Sequence, residues 1–166
     1  MSQATSPTNP YEQLWKQQQH FFQGQHTKRV KRRKQQLSLI SKLLKDHEEK
    51  LFQAIFQDFG KSAFETYATE LGFLHHEIGF AIQHLNRWTS RTSVPHGWVN
   101  FPGKSYIQPE PLGSALVIGA WNYPYQVSLL PAISAIAAGN TVVLKPSEMA
   151  PATAEAMKNM INSHFA

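Results

Sequence analysis

The sequence predicts an α/β protein in which N-terminal helices and a hairpin lead into a strand–helix–strand unit. Three observations on the 166 residues support this prediction. Apolar residues recur at helical spacing through the first half of the chain. Prolines and glycines then punctuate residues 95–113, which contain two short β-prone runs. From Ser114 onward, two continuous apolar runs flank a small-residue helix, as expected for strands buried on both faces.

The N-terminal part is predicted to consist of a disordered tail, residues 1–10, and a helical region, residues 11–94. The tail is polar and contains two prolines, TSP and TNP. Three helices are expected at residues 11–22, 27–59 and 63–88. The apolar stripe of the third consists of Tyr67, Leu71, Leu74, Ile78, Ile82, Leu85 and Trp88. Spacings of three and four place this stripe on one face, which we expect to be buried.

Residues 95–113 and 114–166 form the next two predicted units. In the first, the runs at 98–101 and 105–108 flank a Pro-Gly-Lys sequence and predict the two strands of a hairpin. In the second, strand 115–118, a helix at residues 126–138 and strand 141–144 predict a βαβ unit. The two strands of such a unit are parallel and its crossover is right-handed.

Small polar clusters follow both predicted strands of the βαβ unit. Trp121 and Asn122 follow the first strand, and Lys145, Ser147 and Glu148 follow the second. Parallel strands end at the same edge of a sheet, and ligands of open α/β sheets bind at that edge. We therefore expect the two clusters to form two walls of one site.

The chemistry of these side chains favours a nucleotide cofactor and a carbonyl substrate. Lys145 offers three hydrogen-bond donors and Glu148 accepts from hydroxyls, so the pair suits a ribose and disfavours a 2′-phosphate. Asn122 offers amide donors to an oxygen that gains negative charge, and Trp121 offers a flat apolar wall. No G-x-G-x-x-G follows the first strand. The residues alone leave open that Lys145 and Glu148 are an exposed pair before a helix, and that Asn122 is a turn residue before Pro124.

The composition excludes several other classes of site. The chain contains no cysteine, which excludes disulfides, cysteine-ligated metals and thiol catalysis within these residues. His75 and His76 are adjacent, so a helix would point them in different directions, and no metal site is predicted. No apolar run reaches the roughly 18 residues of a membrane span, and no signal peptide is visible. A cytoplasmic location is therefore expected.

A basic block at residues 28–34 leaves an alternative function open. The chain has a formal net charge of +5, and six of its sixteen Lys and Arg residues lie in this block. Such a block could bind nucleic acid or an anionic membrane face. No aromatic residue interleaves it as a base-stacking surface would require, so a solvated helix start is the preferred interpretation. We expect neither nucleic acid nor membrane as a partner.

Residues 110–148, EPLGSALVIGAWNYPYQVSLLPAISAIAAGNTVVLKPSE, resemble the aldehyde dehydrogenases, and the class three type in particular. WNYP, the AAGN turn and KPSE occur together, in order and at family spacing. The segment DFGKSAFETYATELG at 58–72 is also similar to that class. The resemblance implies that residues 114–166 begin the family's Rossmann-like NAD-binding domain, incomplete here. It also implies that residues 95–113 correspond to the family's oligomerisation arm. The full-length protein is accordingly expected to be a homodimer.

The resemblance further implies a role for each polar residue at the strand ends. Asn122 corresponds to the Asn of the oxyanion hole. Lys145 and Glu148 correspond to the residues that contact the adenosine ribose of NAD. Ser147 in the same KPSE motif, and Trp121 along the cofactor cleft, are also expected to bind the cofactor. The implied activity is NAD-dependent oxidation of an aldehyde to a carboxylic acid, with NADP as a possible cofactor.

The chain departs from the family pattern in length. Family members are much longer, and their catalytic cysteine, general-base glutamate and nicotinamide-end glycine motif lie beyond the part that corresponds to Ala166. We therefore expect an N-terminal part of such an enzyme that is inactive alone. The alternatives are a fragment that folds poorly and has no function, and the basic-helix binding module described above.

Overall fold

The computed structural model describes residue 9 and residues 11–165, and the side chain of Asn100 is not described. The α-helices are α1 (Glu12–Gln23), α2 (Val30–Asp46), α3 (Glu48–Phe59), α4 (Ala63–Thr66), α5 (Gly72–Trp88), α6 (Pro124–Ala138) and α7 (Pro151–Asn162). The strands are β1 (Thr92–Val94), β2 (Ser105–Ile107), β3 (Ser114–Ile118) and β4 (Thr141–Lys145). The predicted tail lies outside the described residues except for Asn9.

The long helix predicted at residues 27–59 is two helices, α2 and α3. They meet at His47, whose ψ of 7° departs from helical geometry. Glu48 and Glu49 occupy the first turn of α3, where acidic side chains favour a new helix N-terminus. The prediction of one continuous helix was therefore wrong, although Leu44 and Leu51 on either side of the break are both fully buried.

The helix predicted at residues 63–88 contains a π-helical turn, Tyr67–Leu71, between α4 and α5. A π turn holds more residues than an α turn, so it changes which side chains face inward. Tyr67 is exposed, and the inward positions are occupied by Thr66 and Glu70, both 0% exposed. The predicted apolar stripe was therefore wrong at its two ends, Tyr67 and the exposed Trp88, and correct from Leu71 to Leu85.

The second strand of the predicted hairpin is confirmed as β2, but its partner is β1 and not the run predicted at residues 98–101. β1 and β2 are antiparallel, with Ser93 opposite Tyr106. The run that was predicted as the first strand, 98–101, instead contains a short 3₁₀ helix, Trp98–Asn100. Trp98 is 93% exposed and Val99 97% exposed, so no apolar surface holds this run in an extended strand.

The βαβ unit has the predicted parallel pairing. β3 and β4 are in register from Ser114 opposite Thr141 to Ile118 opposite Lys145. Helix α6, which connects them, begins two residues earlier than predicted, with Pro124 at a position where its missing N–H costs nothing. It ends as predicted at Gly139, whose φ of 92° is a left-handed conformation that favours glycine.

One hydrophobic core joins five of the helices to one face of the sheet. It contains buried side chains of α2, α3, α5, α6 and α7, among them Leu37, Leu51, Leu74, Leu129 and Met157. Val117 and its register partner Leu144 contribute from β3 and β4. On β3, the alternate residues Leu116 and Ile118 are more than 60% exposed. Of the helices described, none is long and apolar enough to cross a membrane.

A buried arginine joins the start of α2 to the end of α6. The Arg33 side chain donates to the carbonyl oxygens of Thr27, Lys28 and Ala137, at 2.9, 3.1 and 3.3 Å. A Cβ atom added to Gly139 would lie 2.4 Å from an Arg33 guanidinium nitrogen. The guanidinium group therefore occupies the space that a side chain at position 139 would need.

Candidate functional site

The first wall of the candidate site is the turn that follows β3. Gly119 extends the parallel ladder by donating from its N–H to the Lys145 carbonyl oxygen at 2.9 Å. A Cβ at Gly119 would lie 1.9 Å from Ser128 Oγ, so only glycine lets the turn pass this close to α6. Trp121 and Asn122 are exposed beyond it, and the Trp121 ring lies 6.4 Å from that of Phe59.

The second wall is the turn that follows β4. Lys145 Nζ lies 2.6 Å from Glu148 Oε2, in an ion pair whose side chains are 54% and 78% exposed. The hydrogen bond from Lys145 lowers the pKa of the Glu148 carboxyl below its ordinary value. Ser147 is buried, and its Oγ accepts from the Met149 N–H at 3.2 Å, so this hydroxyl shapes the turn.

Both walls lie at the same edge of the sheet, as the sequence predicted. Ile118 and Lys145, the last residues of β3 and β4, are register partners in a parallel pair. Trp121 and Asn122 therefore follow one strand end, and Lys145 and Glu148 lie at the adjacent one. An accessible lysine–carboxylate pair at such an edge offers donors and an acceptor to vicinal hydroxyls, so these residues fit the ribose of a nucleotide cofactor.

A buried carboxylate, that of Glu70, supports the first wall by holding the start of α6. Glu70 Oε2 accepts from the backbone N–H groups of Tyr125 and Gln126, at 2.8 and 3.2 Å, in the first turn of α6. Its other carboxylate oxygen, Oε1, accepts from Lys61 Nζ at 2.7 Å. The Lys61 ammonium also lies 4.3 Å from the centre of the Tyr123 ring. Residues on the carboxyl side of Asn122 are thus fixed by one buried ion pair.

A second carboxylate supports the other wall. Asp58 accepts from the N–H groups of Ala152 and Thr153 at 3.1 and 2.8 Å, in the first turn of α7. Neither α6 nor α7 has a capping side chain at its own N-cap, where the residues are Tyr123 and Ala150. The segment 58–70 therefore supplies the missing caps of both helices that follow the candidate site.

A surface cavity of about 320 Å³ lies away from these residues. It is lined by the C-terminal half of α6, including Leu130 and Ala137, and by Phe80 and Trp88 of α5. Since the Asn122 turn precedes the opposite end of α6, this cavity is separate from the candidate site.

The family model that matches this chain is described as "Aldehyde dehydrogenase family", and the match covers residues 4–164. The chain belongs to the aldehyde dehydrogenase family. The 4,4′-diaponeurosporen-aldehyde dehydrogenase of Staphylococcus aureus is 42% identical over 157 residues, which are 95% of this chain and 34% of that protein. The 4,4′-diapolycopene-4,4′-dial dehydrogenase of Cytobacillus firmus is 44% identical over 133 residues, 80% of this chain and 29% of that protein. The Arabidopsis thaliana aldehyde dehydrogenase family 3 member F1 is 38% identical over 140 residues, 84% of this chain and 29% of that protein.

Solved structures of aldehyde dehydrogenases share the same fold. The chain matches a substrate-bound S. aureus AldH with a TM-score of 0.91 and 42% identity, covering 95% of this chain and 34% of that one. It thus matches the N-terminal part of the aldehyde dehydrogenase fold and spans about a third of the relatives' length.

Nicotinamide cofactors occur in structures of related enzymes. Aldehyde dehydrogenase C of Pseudomonas syringae, with NAD+ and octanal bound, matches with a TM-score of 0.69 and 28% identity over 88% of this chain and 28% of that one. A Streptococcus pyogenes succinic semialdehyde dehydrogenase with NADP+ bound has a TM-score of 0.71. At 17% identity over 98% of this chain and 36% of that one, it shows likeness of fold alone.

Sequence reasoning missed the two carboxylates that support the walls of the site and the lysine that pairs with one of them. Asp58, Lys61 and Glu70 all lie in the segment whose family resemblance was recognised, but no role was assigned to them. One signal was present: α6 and α7 both open with a proline after a residue that cannot cap. Two uncapped helix N-termini require acceptors from elsewhere in the chain, although sequence alone does not say which carboxylates provide them.

Proposed function

We propose that this chain forms part of an NAD(P)-dependent aldehyde dehydrogenase that oxidises an aldehyde to a carboxylic acid. The observation that carries the proposal is the parallel pairing of Ile118 with Lys145 in a chain of this family. That pairing brings the turn containing Asn122 and the turn containing Glu148 to one sheet edge. A cytoplasmic location and a homodimer of the full-length protein, with residues 95–113 as its arm, belong to the same proposal.

Asn122 is proposed to stabilise the developing oxyanion. When a nucleophile adds to an aldehyde, the carbonyl oxygen gains negative charge. A fixed amide N–H then interacts more strongly with that oxygen than with the neutral substrate, and this difference accelerates the step. The nucleophile must come from sequence outside these 166 residues, because the chain contains no cysteine.

Lys145 and Glu148 are proposed to bind the adenosine ribose of the cofactor. Their ion pair is exposed, so a ribose diol can exchange hydrogen bonds with it at little cost. The negative charge of Glu148 disfavours a 2′-phosphate, which biases the site toward NAD over NADP. Trp121 is proposed to line the cofactor cleft, and Ser147 to hold the turn that presents the pair. When bound, the nicotinamide cofactor would accept the hydride.

A chimera tests the proposed role of Asn122. The matching third of the S. aureus relative is replaced by this chain, and NADH formation is followed with octanal and other aldehydes. Asn122→Ala should lower kcat about 10²–10³-fold and leave the KM for NAD within a few fold. Asn159→Ala is the matched control, because it removes another exposed amide, on α7. Acylation at the parental rate in single-turnover experiments with Asn122→Ala would show that Asn122 is only a turn residue.

Lys145→Ala in the same chimera should have the opposite kinetic effect. Loss of the ribose contact should raise the KM for NAD, with a smaller change in kcat. An unchanged KM for NAD together with a large fall in kcat would contradict the assignment of Lys145 to cofactor binding.

The 166-residue chain alone is expected to be inactive and to bind NAD weakly. It lacks a thiol for a covalent intermediate, and one ribose contact must offset several kcal/mol of lost translational and rotational freedom. Aldehyde turnover well above a buffer blank, or low-micromolar NAD affinity by calorimetry, would contradict this expectation.

A further inference from the structure

We propose that Glu70, placed in the interior by the π-helical turn, is a positioning residue for Asn122. This inference rests on the proposed function and adds a residue that acts on the reaction only through another. Glu70 has no exposed surface and lies in the chain 52 positions before Asn122. It holds the backbone three and four residues after Asn122, by the hydrogen bonds that it accepts from Tyr125 and Gln126.

The contacts form a continuous path from the π turn to the Asn122 turn. Lys61 pairs with Glu70 and lies against the ring of Tyr123, the residue that follows Asn122. A buried carboxylate that accepts helix N-terminal N–H groups is favoured by the helix dipole and by charge-assisted hydrogen bonds. The path therefore holds the start of α6, and with it the turn that carries Asn122, at a fixed position relative to the helical layer.

Gly72 is the residue that accommodates the π turn. A Cβ at Gly72 would lie 2.9 Å from the carbonyl oxygen of Tyr67, which is five residues earlier, and 3.3 Å from the Tyr67 ring. Gly72 follows the π turn directly and itself begins α5. A side chain at this position would press on the turn that aims Glu70 inward. Gly72→Ala should thus disturb the same path without changing any charge.

The placement of Glu70 matters for the proposed chemistry because oxyanion donors act only when they are already in position. A displacement of about 1 Å in a catalytic group can lower a rate by on the order of 10²-fold. The Asn122 side chain is exposed, so its position depends on the backbone of its turn. Glu70 is the buried charged group that hydrogen-bonds to the backbone on the carboxyl side of that turn.

A double-mutant cycle in the chimera tests this inference. Glu70→Gln keeps the shape of the side chain and removes the charge, and Glu65→Gln, on the exposed face of α4, is the matched control. Glu70→Gln should lower kcat about tenfold or more and leave the KM for NAD within twofold. In an Asn122→Ala background it should lower kcat little further, because a positioning residue acts through the group that it positions. An equal fold loss in both backgrounds would overturn the inference.

NMR of the 166-residue chain gives a readout that needs no activity. The side-chain amide resonances of Asn122 should shift in Glu70→Gln and in Gly72→Ala, and stay unchanged in Glu65→Gln. If circular dichroism shows that Glu70→Gln does not fold, Gly72→Ala provides the same test. Unchanged Asn122 resonances in the folded variants would overturn the inference. If the resonances shift but Asn122→Ala leaves the chimera's acylation rate unchanged, the positioning is upheld and the proposed oxyanion role fails.

Discussion

The N-terminus of α6 and the N-terminus of α7 are built alike but held differently. Each follows a strand end and a polar turn, each opens with a proline, and each receives its cap from the segment 58–70. At α6 the cap is Glu70, which is completely buried and paired with Lys61. At α7 the cap is Asp58, which is half-buried and accessible to water.

The difference corresponds to what each turn is proposed to do. An oxyanion donor must be held within a fraction of an ångström of its productive position, and a buried, paired carboxylate provides that rigidity. A ribose-binding pair can adjust to its ligand, so a more accessible cap on the helix behind it is sufficient. One short segment thus caps the helices behind both turns, with a fully buried carboxylate at one and a more accessible carboxylate at the other.

Glu70→Ala should cause the largest change. It leaves the Lys61 ammonium, whose side chain is 10% exposed, without its partner, and it removes the acceptor of two N–H groups in α6. Breaking a buried pair in this way typically costs 3–5 kcal/mol. Urea unfolding of the 166-residue chain measures the loss. Glu65→Ala, in an exposed position, should cost less than about 1 kcal/mol, and equal losses in the two variants would contradict a special role for the buried pair.

Asp58→Ala should have an intermediate and local effect. Loss of a helix cap typically costs 0.5–2 kcal/mol, and here the affected groups are the N–H groups of Ala152 and Thr153. Their hydrogen exchange should become faster, while exchange at Tyr125 and Gln126 stays unchanged. Faster exchange at both helix N-termini would show that the two caps are coupled and would remove the contrast between them.

Lys145→Ala should have the smallest effect on the isolated chain. The Lys145–Glu148 pair is exposed, so the variant should change the melting temperature very little. The pKa of Glu148 is lowered chiefly by its hydrogen bond from Lys145, so the pair is complete above the ordinary glutamate range and is lost as the pH falls through this lowered value. Carboxyl NMR titration should show the pKa of Glu148 returning upward in Lys145→Ala; an unmoved pKa would indicate that the pair does not form in solution.

The sequence was sufficient for the unit that carries the candidate site. Continuous apolar runs, the glycine after α6 and the length of the crossover dictated the parallel pairing of β3 and β4, which the structure confirms. Local strand propensity did not predict the conformation of residues 98–101, because tertiary contacts determine whether such a run becomes a strand. The exposed Trp98 lies in a 3₁₀ turn although its run has strand propensity.

The largest difference between the sequence prediction and the structure concerns the burial of Glu70. An α-helical period placed Tyr67 inward, and one π turn moved the buried positions to Thr66 and Glu70. The N–H groups that Glu70 holds are in α6, more than 50 residues later in the chain, so the local pattern does not predict that the turn buries this carboxylate. The partner of a distant cap follows from the packing of helices against one another.

The contact between Arg33 and Gly139 restricts how this chain can diverge. A side chain at position 139 meets the guanidinium group and also needs a φ of 92°, which L residues rarely adopt. A smaller residue at position 33 would make room for it. The same change would leave three backbone carbonyl oxygens, including that of Ala137 in α6, without their hydrogen-bond donor. Either single substitution is therefore destabilising, and because the two residues are in contact their effects will not simply add. A smaller residue at position 33 would therefore make room for a Cβ at position 139, 106 residues later in the chain, but would not relieve the strain of its positive φ.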